Sequence, residues 1–190
     1  MKKFRITINA PVTLCFVLIC FIVTLLGTLS NGTITQAFFM TYRSSLLDPL
    51  TYVRLFGHVF GHEGWDHFFG NACYLLLLGP MLEEKYGSKA LMILIALTAL
   101  VTGIFNSIFF ANTGLYGASG VVFAFIILAS FTGFRHGEIP LSFILVAIIF
   151  IGQQIYDGVM LVDNISNSAH IVGGTVGAIA GYNLNKNKAN

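Results

Sequence analysis

Apolar runs long enough to cross a membrane dominate this chain and leave few folds open to it. The first, PVTLCFVLICFIVTLLGTL at residues 11–29, contains no charged residue. A run of about 18 apolar residues reads as a membrane span, and several later stretches approach or exceed that length. Only 9% of the 190 residues are charged, while 56% are hydrophobic. Soluble domains carry about 25% charged residues, so this chain lacks the polar atoms to coat a globule in water. The expected class is an all-α, polytopic membrane protein. A net charge of +2 points to no nucleic-acid partner. Cys15, Cys20 and Cys73 lie in apolar stretches, where a free thiol behaves as a small hydrophobe. Their odd number argues against a disulfide framework.

Six spans are expected, at about 11–29, 67–84, 89–111, 119–134, 141–156 and 167–184, in a single domain spanning 1–190. "MKKFR" before the first run resembles a signal peptide, but the run is too long and more spans follow, so it reads as a membrane helix. Short polar turns such as "EEKYGSK" and "FRHGE" join most spans. The long segment from Ser30 to Asp66 is expected to be a structured loop. With both termini in the cytoplasm, Lys2, Lys3, Arg5, Lys85, Lys89, Arg135, Lys186 and Lys188 all lie inside. Only Arg43 and Arg54 then lie outside, which satisfies the positive-inside bias.

This topology gathers polar residues at one depth. The fourth span, from Ser119 to Phe134, is roughly 16 residues or about 24 Å long, short of a hydrocarbon core of about 30 Å. Ser119 therefore sits below the outer surface, with a glycine-rich loop dipping to meet it. Irregular backbone at that depth needs cover from protein or water. His170 lies one turn into the sixth span, followed by Gly173, Gly177 and Gly181 on one face. Such small residues permit close helix contact. His67 and Asn71, four apart, share the outer end of the second span.

Ser119, His170, His67 and Asn71 make up a nucleophile, a base and oxyanion donors. A serine hydroxyl needs a base to take its proton, and neutral histidine is the usual one. The Ser119 N–H at a helix start, with His67 and Asn71, can face a developing oxyanion. Gly117 and Gly120 permit a tight turn and close substrate approach. No acidic residue matches the depth of His170, so a Ser–His dyad is expected. Singly, each residue has a plainer reading: helix packing for Ser119, interhelical bonding for His170, interfacial structure for His67 and Asn71. Their convergence favours catalysis. Asn106 is expected to form an interhelical hydrogen bond, and Gln153 and Gln154 to be interfacial.

From Arg54 to Gly181 the chain resembles the rhomboid intramembrane serine proteases of the compact six-helix bacterial type. The pattern R-x3-H-x3-H-x4-H-x3-N is matched by Arg54, His58, His62, His67 and Asn71. Gly79, Glu83, Gly87 and Ser88 match the family's G-x3-E-x3-G-S. Gly117 to Gly120 match G-x-S-G, and Ala169, His170, Gly173 and Gly177 match A-H-x2-G-x3-G. The resemblance implies a six-helix bundle that cleaves transmembrane segments of single-pass proteins near the outer face of a bacterial inner membrane. Ser119 would be the nucleophile and His170 the base. His67, Asn71 and the Ser119 amide would form the oxyanion site, with Phe123, Gly120, Gly173, Gly177, Arg54, His58 and His62 in support. Membrane lipid is the expected surrounding, no metal or organic cofactor is implied, and no particular oligomeric state is selected. Two positions depart from the family: Val53 where Trp is common before the loop arginine, and Phe123 where Tyr commonly packs under the histidine ring.

His58 and His62, with Glu63 and Asp66, are expected either to line an aqueous cavity above Ser119 or to brace the first loop. Substrates are expected to carry helix-weakening residues near the outer face. The resemblance adds a small residue before the cut and lateral entry near Tyr156–Ile165. Three other classes compete. A zinc helix needs H-E-x-x-H, but His67 follows His62-Glu63 one residue too late, leaving a loop site from His58, His62 and His67. A transporter would show related halves, and no repeat is visible. A catalytically inactive rhomboid-like protein that binds transmembrane helices is the third, although this chain keeps both serine and histidine.

Overall fold

The computed structural model describes residues 6–110, 112–133, 140–160 and 167–186. Among them the architecture is all-helical. Helix α1 (Pro11–Leu29) is followed by α2 (Thr33–Phe38), α3 (Pro49–Gly57) and a 3-10 turn at His58–Phe60. Then come α4 (Trp65–Tyr86), α5 (Ser88–Phe109), α6 (Ser119–Ser130), a 3-10 turn (Phe131–Gly133), α7 (Leu141–Met160) and α8 (Asn167–Lys186). Each of the six expected segments is a helix, within a few residues at the ends. By length and composition α1 and α5 suffice to cross a membrane, whereas α6 and Leu141–Gln153 are apolar but shorter. The "FRHGE" turn and residues 161–166, which include half of the expected lateral-entry segment, lie outside the described residues, as do Lys2, Lys3, Arg5 and Lys188.

Helix α6 forms the centre. Val121, Ala124, Phe125 and Leu128 are almost wholly buried, because neighbouring helices cover most of this helix. Helix α8 packs closest against it. A Cβ on Gly173 would fall on the Gly120 carbonyl, and one on Gly177 on the Ala124 backbone. At Gly181 it would strike the Phe131 ring. The glycine stripe thus seats α8 directly on the α6 backbone.

At the opposite side α1 docks on α4 through Glu83. Its carboxylate accepts hydrogen bonds from Val12 N–H and Thr13 N–H, both at 3.0 Å, and from the Thr13 hydroxyl at 2.9 Å. The Ser88 hydroxyl adds a fourth at 2.7 Å. One side chain therefore caps the orphan donors at the start of α1 and ties them to the α4–α5 turn.

The segment between α1 and α4 is a brace. Arg54 donates to the Ala37 carbonyl (2.8 Å), pairs with Asp48 (3.4 Å) and lies 4.9 Å over the Tyr42 ring. Arg43 donates to the Ser107 and Ile108 carbonyls at the end of α5, where a cation complements the helix dipole. Thr41 and Leu115 exchange two backbone bonds of 2.9 and 2.8 Å, and Gly117 N–H donates to the His58 carbonyl at 2.9 Å. The first loop therefore holds the loop that precedes Ser119. Asn106 departs from expectation. Its amide donates 2.8 Å to the Thr113 carbonyl, so it anchors that same loop rather than another helix.

Two outcomes follow. Gly177→Leu should push α8 off the Ala124 backbone and cost about 1–3 kcal/mol or more by overpacking, read as a lowered denaturation midpoint in detergent. Ile179→Leu on the exposed side of α8 should leave it unchanged, and equal midpoints for both variants would refute the seam. Burial also pushes His58 and His62 down to about 4, His62 further depressed by His67, from an unfolded value of 6.5. The folded protein then binds fewer protons than the unfolded chain between these values. Stability should be constant above about pH 6.5 and fall toward pH 4, by up to about 1.4 kcal/mol per pH unit for each group. A melting temperature that rises on acidification through this window would contradict the assignment.

Candidate active site

Ser119 is the first residue of α6, so its N–H lacks a carbonyl one turn back within the helix. Gly117 precedes it with φ +128, a conformation that other L-residues rarely adopt. A side chain there would also meet the His67 ring at 2.9–3.0 Å and lie 3.8 Å from Ser119 Oγ. Glycine thus lets His67 and Ser119 face each other across one turn of chain.

His170 sits near the start of α8, with Nε2 2.9 Å from Ser119 Oγ. Phe123, one turn below Ser119, lies against the imidazole at a ring separation of 4.5 Å and 42°. Phe150 of α7 backs Phe123 at 4.3 Å. The phenylalanine at this departure from the family therefore keeps its aromatic contact with the histidine.

Both residues border a cavity of about 1010 Å³ that His67, Asn71 and Tyr74 of α4 also line. Asn71 is 7% exposed, and its Nδ2 makes no hydrogen bond to the protein. An amide donor without a partner is costly, and here it borders the space beside the serine hydroxyl. The wall continues through Met40 of the first loop, Asn112 to Tyr116 before α6, and Val122 and Ile126 of α6. A second hollow of about 480 Å³ between α1, α3 and α5 is lined by apolar side chains and Cys15, and holds none of these groups.

The structure separates the histidines of the first loop from the cavity. His58 is 1% exposed, with Nδ1 beside the Arg54 and Leu55 carbonyls and Nε2 3.2 Å from Thr102 Oγ1. His62 is 3% exposed and packs edge-on against His67 and Phe68. The cavity wall contains neither His58 nor His62: of the two expected readings the structure supports the brace, with His58 engaged through both ring nitrogens and His62 through Nδ1 beside the Phe60 carbonyl, its Nε2 buried without a hydrogen-bond partner. Glu63 and Asp66 do line the cavity. Among the described residues no group of three His, Cys, Asp or Glu side chains is arranged to hold a metal ion. Sequence reasoning had no signal for Met40 and Tyr116 in the wall. Asp66, Gly70 and Tyr74 were legible as one face of α4 at fourfold spacing.

Comparison with known proteins points to one family. The Rhomboid domain family model matches residues 49–187. Over 184 residues the chain is 27% identical to the rhomboid protease GlpG of Yersinia pseudotuberculosis serotype I (strain IP32953), covering 94% of this chain and 64% of the relative. GlpG of Serratia proteamaculans (strain 568) is 26% identical over 177 residues, 90% of this chain and 62% of the relative. The chain therefore spans less than two thirds of the length of these relatives. With the family match covering the serine turn, the histidine helix and the bracing loop from residue 49 onward, the chain belongs to the rhomboid family of integral membrane proteins.

Proposed function

We propose that the protein is an intramembrane serine endopeptidase that cuts transmembrane segments of single-pass membrane proteins near the outer membrane face. The observation that carries this reading is the 2.9 Å approach of Ser119 Oγ to His170 Nε2 in the cavity wall. The name of the relatives, rhomboid protease, supports the same reaction class.

With Nε2 unprotonated, His170 takes the Ser119 proton as Oγ attacks the substrate carbonyl. The Ser119 N–H and the Asn71 amide donate to the oxyanion, with His67 beside them. Phe123 packs against the imidazole at a tilt and favours the imidazolium that forms. His170 then delivers the proton to the leaving amine, and water releases the acyl group by the reverse sequence. Helices α1, α4, α5, α6, α7 and α8 are the six spans, with both termini cytoplasmic in a bacterial inner membrane. Exposed apolar side chains such as Leu18, Ile22, Leu77, Ile93, Leu97 and Ile148 support this topology, since water-facing surfaces rarely carry such patches. Helix α6 and its 3-10 turn span about 24 Å, which leaves Ser119 below the outer surface.

Reconstituted protein should cleave a transmembrane substrate bearing a helix-weakening segment. Ser119→Ala and His170→Ala should each lower turnover by at least about 10³-fold. Loss of cleavage in Ser119→Ala with substrate binding retained separates an enzyme from an inactive helix-binding relative. Undiminished cleavage by either variant would overturn the dyad.

A further inference from the structure

Two carboxylates at the active cavity remain outside the proposed chemistry. Glu63 precedes α4, Asp66 lies in its first turn, and both are exposed while lining the cavity that contains Ser119. Neither forms a salt bridge among the described residues. The cations of this end are already engaged: Arg43 with the α5 carbonyls, and Arg54 with Ala37, Asp48 and Tyr42. Burial and then the Glu63 charge push the Tyr116 hydroxyl up from its ordinary value, so the field of Glu63 reaches across to the loop before Ser119.

Helix geometry orders these groups. Asp66 stands one turn before Gly70 and two before Tyr74 on α4, and His67 stands one turn before Asn71. The carboxylates therefore occupy the end of the cavity nearest the start of α4, and Asn71 lies deeper. Asn71 supplies an independent sign of a ligand: an unpartnered amide, more than nine-tenths buried, bordering the same space. A peptide whose carbonyl meets that amide leaves the cavity past Glu63 and Asp66.

We propose that Glu63 and Asp66 select substrates with lysine or arginine in the extramembrane residues flanking the scissile bond. The inference rests on the proteolysis reading and names its substrate class. Outer flanks of membrane proteins are poor in Lys and Arg, so a basic flank there is a discriminating mark. A plainer role exists for Asp66, since a carboxylate in the first helical turn complements the dipole. That role moves stability and leaves the preference between substrates unchanged.

The test uses full-length protein in vesicles of zwitterionic phosphatidylcholine, with one transmembrane substrate carrying Lys-Lys, Gln-Gln or Glu-Glu as its outer flank. The kcat/KM ratio of the lysine to the glutamate substrate should be about tenfold at low salt, from two exposed charge pairs. It should shrink severalfold at about 0.5 M salt, where screening is short-ranged. Glu63→Gln with Asp66→Asn should bring the ratio close to one, each single change giving an intermediate value, and Glu63→Lys with Asp66→Lys should invert it. Because both substrates meet the same preparation, a loss of folded protein cancels from the ratio. Equal cleavage of the three substrates by the native protein, or a ratio unmoved by the neutralised variants, would overturn the inference and leave proteolysis standing. Absence of any Ser119-dependent cleavage would overturn both.

Discussion

Direct contact between the backbones of α6 and α8 is the constraint from which the geometry of the site follows. Gly173 meets the Gly120 carbonyl and Gly177 meets Ala124, and each approach exists only because a Cβ is missing. Ser119 precedes Gly120 by one residue, and His170 precedes Gly173 by three, nearly one turn. The register that seats glycine on glycine therefore also sets the imidazole beside the hydroxyl. A slip of one turn would move the ring by about 5.4 Å, far more than a 2.9 Å hydrogen bond tolerates. Lipid gives helices no hydrophobic reason to associate, so shape must supply the register. The repeated glycines of α8 provide that shape over about two turns.

The second constraint is that polar groups in an apolar surrounding need partners. This chain meets it in part by placing polar side chains at junctions. Glu83 joins the start of α1 to the α4–α5 turn. Arg43 ties the first loop to the end of α5, and Asn106 ties α5 to the loop before α6. His58 contributes its ring to Thr102 of α5 and its carbonyl to Gly117. The few charges and amides are thus spent where helices alone would leave the serine turn unsupported.

Much of this was legible from one sequence because helical periodicity carries position as well as type. The spacing of His170, Gly173, Gly177 and Gly181 told both the face and the closeness of the contact. The spacing of His67 and Asn71 placed them at one depth. What escaped was long-range pairing with no periodic signature. Nothing in the isolated sequence links Glu83 to Thr13, Thr41 to Leu115, or Asn106 to Thr113, since a carbonyl in a loop looks like any other. The histidines of the first loop stayed open between two readings for a related reason. An imidazole bonds backbone carbonyls as readily as water, and composition does not distinguish a polar lining from a polar strut.

That distinction bears on how water reaches an acyl group inside such a protein. His58 and His62, at 1% and 3% exposure, stand outside the cavity wall and so do not serve as its polar lining. The cavity instead has two unlike sides. Its α6 side presents Val122 and Ile126, one turn apart, while Glu63, Asp66, Asn112 and Thr113 stand on the start of α4 and the α5–α6 loop. On the proposed proteolytic reading, a substrate segment gains most by laying its apolar side chains on α6, which leaves the polar side to be solvated. Ser119 borders the same cavity, so its hydroxyl would meet an apolar substrate while the polar wall stays open to water. Under that reading hydrolysis needs no dedicated channel, only one wall that the substrate has no reason to cover.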